Sequence, residues 1–407
     1  MIRTGSTTMG NSILTADQSA ARHHSEKPEV SVVLPCLNEA ETLPACIRQI
    51  QEMFARSGLK GEVVVGDNGS TDGSPEIAEN MGARVVLVPR KGYGSALMGG
   101  IAGALADYIV MGDADGSYDF RDVPKFVAQL RSGADLVMGN RFSGGIKPGS
   151  MPPLHRYFGN PVMTGLNRLF FKSECGDSQC GLRAFTKQAY DRMDLRTTGM
   201  EFASEMLVKA TLFRMRVDEI PTTLSPDGRS RPPHLRSWRD GWRHLRFLLM
   251  YSPRWLFLYP GITLMLVGSA LAVWLLPGPR RVHGVEFDIH TLLYAVVGAL
   301  VGFQCVLFAF LAKVFAITAG LLPEDPQLAK LFRVFTLEGG LAVGISMLIA
   351  GVGCALYSVF LWNAHGFGAM NPLSLMRVVA CAVGLILMGV QVTLYSLFAS
   401  ILGLARK

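Results

Sequence analysis

Apolar residues fall along this chain in two rhythms, and the change between them comes near residue 250. Before it, short apolar runs end in polar, glycine-bearing turns and alternate with amphipathic stretches. Val30-Ser-Val-Val-Leu-Pro-Cys-Leu-Asn-Glu39 is an apolar run of buried-strand length that breaks at Pro35. Asn38 is placed to cap a helix, with Glu41 three residues on in capping-box position, and Leu43, Cys46, Ile47, Ile50, Met53 and Phe54 follow at helical spacing. Glu62-Val-Val-Val-Gly-Asp-Asn-Gly-Ser-Thr-Asp72 is a second strand delivered into a polar turn, and Val85-Val-Leu-Val88 a third. After the third come the Gly-rich Lys91-Gly-Tyr-Gly-Ser95 and a small-residue helix through Ala106. Tyr108-Ile-Val-Met-Gly-Asp-Ala-Asp-Gly-Ser-Tyr118 supplies the fourth strand. Strands alternating with helices predict an α/β domain built on a parallel sheet, whose ligands bind beyond the carboxyl ends of the strands.

After residue 250 the rhythm disappears into long apolar runs. Trp255–Leu276, His290–Phe315, Leu341–Trp362 and Val378–Leu402 each approach the roughly 20 residues needed to cross hydrocarbon, and no polar face interrupts them. They predict an all-α transmembrane domain of four helices spanning 255–407. Between the two regions, 229–254 is a basic juxtamembrane segment. In it Leu235, Trp238, Trp242, Leu245, Leu249 and Tyr251 recur at helical spacing with arginines between them, as in an amphipathic helix lying on a membrane. Residues 1–28 have no apolar stretch and read as a flexible tail rather than a signal peptide.

The 407 residues exceed one ordinary domain, and the formal charge of +7 is unevenly placed. Arg229, Arg231, Arg236, Arg239, Arg243, Arg246 and Arg254 approach the first span. Lys330, Arg333 and the terminal Arg406-Lys407 fall on the same side, against Arg280, Arg281 and Arg377 on the other. The positive-inside rule then puts the α/β domain and both termini in the cytoplasm of a multi-pass inner-membrane protein. No nucleic-acid partner is expected, and the oligomeric state, a homo-oligomer included, is not written in the pattern. The seven cysteines and eight histidines make no metal-ligand pattern, and reduced structural thiols fit a cytosolic domain.

The chemistry gathers at strand ends. Asp113 and Asp115, two apart at the end of a strand, share a face, and neighbouring carboxylates repel unless a cation satisfies both. An oxygen-seeking divalent ion on a substrate diphosphate is the natural occupant; a solvated strand-end turn is the bland alternative. Asn38, Glu39, Asp67, Asn68 and Lys91 fall at such ends too.

Leu34-Pro-Cys-Leu-Asn-Glu39, Val65-Gly-Asp-Asn-Gly-Ser-Thr-Asp72, Gly112-Asp-Ala-Asp115 and Asp177-Ser-Gln-Cys-Gly-Leu-Arg183 occur in order. In this the chain resembles inverting family-2 glycosyltransferases of the GT-A, Rossmann-like fold over about residues 29–228, closest to the dolichol-phosphate mannose and glucose synthase group. Two departures stand out: the usual Asp-Asp-Gly-Ser reads Asp67-Asn68-Gly69-Ser70, and the Gln that often follows Asp-x-Asp is absent. The resemblance implies a nucleotide-diphosphate sugar (UDP-glucose or GDP-mannose type) bound by Pro35, Asn38, Glu39, Asp67, Asn68, Lys91, Asp113, Ala114, Asp115, Arg229 and Arg231. It implies Mg²⁺ or Mn²⁺ on Asp113 and Asp115, and a catalytic set of Asp113, Asp115 and Asp177, with Glu205 a further match of open role. It gives Arg141 and Arg156 to the phosphate of a polyprenyl acceptor (undecaprenyl or dolichyl phosphate). Two rivals remain: a processive polysaccharide synthase, whose Gln-x-x-Arg-Trp motif is matched only by the Arg-Trp of Tyr251-Ser-Pro-Arg-Trp255, and a catalytically silent membrane scaffold.

Overall fold

Val30–Cys36 (β1) and Gly61–Asp67 (β2) lie side by side as parallel strands, Val33 opposite Val64. Both are near-continuous apolar runs, as strands covered on both faces must be. The computed structural model describes residues 27–230, 237–319, 321–323, 336–369 and 372–404. Arg84–Leu87 (β3) pairs parallel with β2, and Tyr108–Met111 (β4) parallel with β1. Beyond β4 the sheet turns mixed. Arg183–Thr186 (β6) runs antiparallel between β4 and Leu136–Asn140 (β5), and Val217–Pro221 (β7) runs parallel to β5. The order is β3-β2-β1-β4-β6-β5-β7.

Helix Leu43–Ser57 (α1) follows β1 and buries Leu43, Cys46, Ile47, Ile50 and Met53 against the sheet. Each such side chain contributes roughly 1.5–3 kcal/mol by leaving water. Gly58, at φ 69°, ends the helix. Its start differs from the sequence expectation: the cap position is Thr42, and Asn38 lies four residues upstream in the left-handed region at φ 59°. The Asn38 side chain is drawn away from α1 by the neighbouring strand-end turn. Ser74–Asn80 (α2) and Tyr93–Gly103 (α3) make the next two crossovers. α3 packs closely because Gly66 of β2 sits against the carbonyl of Ala96, and Gly100 leaves room for Val33, whose Cγ1 would lie 2.6 Å from an added Cβ. Val123–Arg131 (α4) covers the sheet with Val123, Phe126, Val127 and Leu130. The short turn Arg141–Gly144 (α5) leaves β5 directly.

A second compact unit is formed by residues 162–174, 204–214 and those from 237 onward. Its three shorter helices are the later part of Asn160–Phe171 (α6), most of Phe202–Leu212 (α8, after Lys187–Met193, α7) and Ser237–Met250 (α9). They meet through Phe171, Val208, Phe247 and Leu248. On α9 the inward face is Asp240, His244, Phe247 and Leu248, while Trp238 and Trp242 are 85% and 58% exposed.

Among the described residues, four helices are long and apolar enough to cross a membrane: Arg254–Leu275, which contains Tyr259–Leu275 (α10), Ile289–Thr318 (α11), Leu337–Ala364 (α12) and Leu375–Leu402 within Pro372–Leu404 (α13). The shortest has 22 residues, a rise of about 33 Å. α10 and α11 approach at Gly261, Gly268 and Gly302, and α12 and α13 at Gly344, Gly351 and Gly389, the small-residue contacts by which helices pack in lipid. Outward, Val273, Tyr294, Ile349, Phe360 and Ile401 are exposed. A hairpin of Arg280–Val282 (β8) and Val285–Phe287 (β9) joins α10 to α11. Arg377 of α13 reaches the Leu275 carbonyl and the Asp288 carboxylate.

Candidate active site

Parallel strands deliver their carboxyl ends to one edge, and β1, β2 and β4 bring Glu39, Asp67 and the Asp113–Asp115 turn there. Asp67 folds its own turn, accepting hydrogen bonds from the amides of Gly69 (2.9 Å) and Ser70 (3.2 Å). The Asn38 amide donates to Ser70 Oγ at 2.8 Å, and its side-chain oxygen accepts from the Thr71 amide at 2.8 Å. Buried Asn68 donates to the carbonyls of Val88 (3.0 Å) and Arg90 (2.8 Å) and accepts from the Gly92 amide (2.7 Å). Only a carboxamide can donate and accept in this way, which gives asparagine a physical reason at this position. Lys91 Nζ donates to the Asn68 carbonyl at 2.7 Å.

Asp113 Oδ1 accepts from the hydroxyl of Tyr93 at 2.9 Å. Burial, then the charge of Asp115, raise the Asp113 carboxyl to about 6, against the lowering effect of Tyr93. Asp115 accepts from the Ser117 amide (2.9 Å) and lies 3.6 Å from Arg229 Nη2. The same guanidinium binds Glu39, Nη2 to Oε1 at 2.9 Å and Nε to Oε2 at 3.0 Å. The segment carrying Arg229 lies along the Asp115 turn, with Ser225 N donating to Ser117 O and Gly228 N to Asp115 O, each at 2.9 Å. A cavity of about 380 Å³ opens between Asn38, Glu39, Glu41, Asp72 and Arg229. Pro35 is half-buried at the end of β1 and Ala114 is buried between the two aspartates. Among the described residues no third His, Cys, Asp or Glu joins Asp113 and Asp115 in a metal-sized cluster. Two carboxylates completed by water and phosphate oxygens are nonetheless a fitting donor set for Mg²⁺ or Mn²⁺.

Arg141, expected at the acceptor phosphate, is turned inward. It is 7% exposed, and its Nε and Nη2 bind Asp177 Oδ2 and Oδ1 at 2.7 and 2.9 Å, the bidentate geometry that suits a guanidinium. The fork offered to a lipid phosphate is thus taken by a carboxylate of the same domain. Asp177 is fully buried and also accepts from the amides of Arg141 (3.1 Å) and Gln179 (3.3 Å). Burial works against the Arg141 charge, yet Tyr118 and Asp177 hold its pKa above the ordinary arginine value. Arg183 is fully buried and donates to the carbonyls of Cys180 (2.8 Å), Ser178 (3.0 Å) and Ala203, pinning the loop behind Asp177. Arg156 is half-buried with its guanidinium over the ring of Tyr157, 5.5 Å from the centroid. Glu205 is fully buried and paired at 2.8 Å with Lys209 within α8. Arg231 lies outside the described residues. Tyr93, Tyr118 and Glu219 were not anticipated. The Tyr in Lys91-Gly-Tyr-Gly was a signal for the first; the other two have no local sequence signal.

Residues 31–194 match the family described as glycosyl transferase family 2, and residues 310–403 match the glycosyltransferase family 2 C-terminal transmembrane region. The low-salt glycan biosynthesis hexosyltransferase Agl6 of Haloferax volcanii is 38% identical over 392 residues, 96% of this chain and 92% of that protein. The glycosyltransferase AglJ of the same organism is 30% identical over 70% of this chain and 92% of its own. A dolichyl-phosphate hexose transferase, also from Haloferax volcanii, is 28% identical over 47% of this chain and 81% of its own. Among solved structures, glucosyl-3-phosphoglycerate synthase from Mycobacterium tuberculosis aligns with a TM-score of 0.42 and 22% identity, over 55% of this chain and 79% of that one. An α/β domain followed by C-terminal apolar helices, matched along both parts by family-2 models, defines a membrane-associated enzyme of glycosyl transfer. The chain belongs to glycosyltransferase family 2.

Proposed function

We propose that this glycosyltransferase moves a hexose from a nucleotide-diphosphate sugar to a membrane polyprenyl phosphate, with inversion at the anomeric carbon. The observation that carries the reading is that Glu39 and Arg229 line one cavity at the carboxyl edge of the sheet, with Asp115 3.6 Å from the same guanidinium, in a chain whose described residues include four apolar helices. The names of the relatives, a hexosyltransferase and a dolichyl-phosphate hexose transferase, support the substrate class.

Glu39 and the Asp67 turn take the nucleoside side of the donor. Arg229, paired with Glu39 and 3.6 Å from Asp115, lines the cavity, and exchanging Glu39 for the diphosphate would give its planar fork to phosphate oxygens. A divalent cation on Asp113 and Asp115 supplies, when bound, charge neutralisation for the departing diphosphate. Tyr93 fixes the rotamer of Asp113. The acceptor is a phosphate monoester with a second pKa of about 6, so its oxygen is already ionised and needs no general base. This suits Asp177, whose oxygens are committed to four donors, as a clamp on Arg141 rather than a proton acceptor. Arg156, at the head of a helix whose Tyr157, Phe158 and Leu169 are exposed, is assigned to the acceptor phosphate at headgroup depth. The donor is water-soluble, so the catalytic domain faces the cytoplasm. The experiment is transfer from labelled UDP-glucose and GDP-mannose in membranes with polyprenyl phosphate. Label in organic-extractable lipid supports the reading; label in polymer, or none released from any donor, rejects it.

A further inference from the structure

Glu219, half-buried on β7 opposite Met138 of β5, is used by none of the steps above, yet it gathers four donors. Its Oε1 accepts from the amides of Gly176 (2.6 Å) and Asp177 (3.2 Å) and from the Cys175 thiol (3.1 Å). Its Oε2 accepts from the side-chain amide of Asn140 at 3.4 Å. The thiol is kept as a donor: burial first, then the charge of Glu219, push its pKa up. These donors belong to the two short segments that carry the Arg141–Asp177 pair. Residues 175–177 deliver Asp177, and Asn140, whose Oδ1 accepts from the Ser143 amide at 3.0 Å, caps the turn that begins with Arg141. Gly176 is fitted between them, since an added Cβ would strike Asn140 Nδ2 and lie 3.0 Å from Glu219 Oε2.

A carboxylate binding both segments sets the distance between them, and a bidentate pair has no slack in that distance. We propose that Glu219 is a positioning residue for glycosyl transfer, acting through the turn at 175–177 and the Asn140 cap to hold Asp177 against Arg141. The inference rests on Asp177 belonging to the catalytic set that the family resemblance implies, with Arg141 as the group it clamps.

In the purified full-length protein, Glu219→Ala should lower kcat on the order of tenfold or more, as small misplacements of working groups do, with KM for the nucleotide sugar within about twofold. Glu219→Gln can keep its oxygen toward Gly176 and Asp177, but its NH₂ then faces the donating NH₂ of Asn140. It keeps the hold on 175–177, loses the one on the Asn140 cap, and should recover only part of the loss. Gly176→Ala, which spreads the same two segments, should reproduce the alanine phenotype. Hydrogen exchange gives a readout that needs no substrate: the Gly176 and Asp177 amides should lose protection in Glu219→Ala, with Tm little changed. If Asp177→Asn abolishes transfer while Glu219→Ala turns over normally, Glu219 has no positioning role and the reading of the site survives. Equal losses in Glu219→Ala and Glu219→Gln, tracking a fall in Tm, would make Glu219 a merely structural residue. If Asp177→Asn itself transfers normally, the assignment of the pair falls, and this inference with it.

Discussion

Asp177→Asn removes one charge from a pair whose side chains are 9% (Arg141) and 0% (Asp177) exposed. The change is nearly isosteric, so no cavity opens. What remains is a buried guanidinium facing an amide NH₂ where a carboxylate oxygen stood. Breaking a buried pair from one side costs about 3–5 kcal/mol, a large part of the roughly 5–15 kcal/mol that holds a domain folded. At about 2–4 °C per kcal/mol for a domain of this size, Tm should fall by roughly 6–20 °C. The companion variant Arg141→Met/Asp177→Asn removes both charges while the asparagine oxygen can still accept a backbone amide. Uncharged replacements of buried pairs are often neutral, so most of the lost Tm should return. Transfer should not. Thermal melts of the detergent-purified full chain and lipid-extractable label from the same preparation provide both numbers. A single variant that melts within about 2 °C of wild type would show that the pair contributes little to stability. A double variant that regained both Tm and transfer would reduce the pair to scaffolding.

Asp115→Asn should abolish turnover that depends on added Mg²⁺ or Mn²⁺ in chelator-treated membranes, with circular dichroism unchanged, because the side chain is partly exposed at the rim. Arg229→Ala, which frees Glu39 and Asp115, should cost about 1.5–3 kcal/mol of donor binding, read as a ten- to hundredfold rise in KM for the nucleotide sugar. Arg156→Ala should weaken use of polyprenyl phosphate by a similar factor with donor affinity unchanged, and Arg156→Lys should rescue only partly for want of a fork; loss of donor binding instead would move Arg156 to the donor site. Burial raises the Cys46 thiol to about 12 and Cys180 to about 11, so both should resist alkylation at neutral pH until the protein is unfolded, as mass spectrometry would report.

The α/β half was legible because its strands are continuous apolar runs ending in polar turns, and parallel pairing then forces the ends to one edge. β6 escaped notice: it is four residues long, and its antiparallel place between β4 and β5 follows from tertiary pairing. The four apolar helices were legible to within a few residues, since length and composition alone define them. Asn38 misled because a capping box is a local pattern, whereas its partners, Ser70 and Thr71, are more than 30 residues away. Arg141 misled for the same reason. Its position at a strand end was visible, but the carboxylate that draws it inward comes from a loop 36 residues on. Glu219 had no local signature at all, because its function depends on donors from two other segments.

Charge placement along the apolar half takes on a different meaning once the pairs are known. Arg377, on the side that should be poor in basic residues, binds the Leu275 carbonyl at the end of α10 and Asp288 at the start of α11. A helix end at the edge of hydrocarbon has carbonyls that lipid cannot satisfy, and a cation is favoured at that terminus. Arg281 is held by Glu286 across the β8–β9 hairpin at 2.7 Å. Each therefore has a local structural reason to stand where it does. The basic residues around α9 have a different one. Arg239 and Arg246 stay exposed on the same helix as Trp238 and Trp242, the pairing of aromatic rings and cations that settles at anionic headgroups. One set of arginines thus completes helix ends and a hairpin, while Arg239 and Arg246 are exposed beside the aromatic rings of α9.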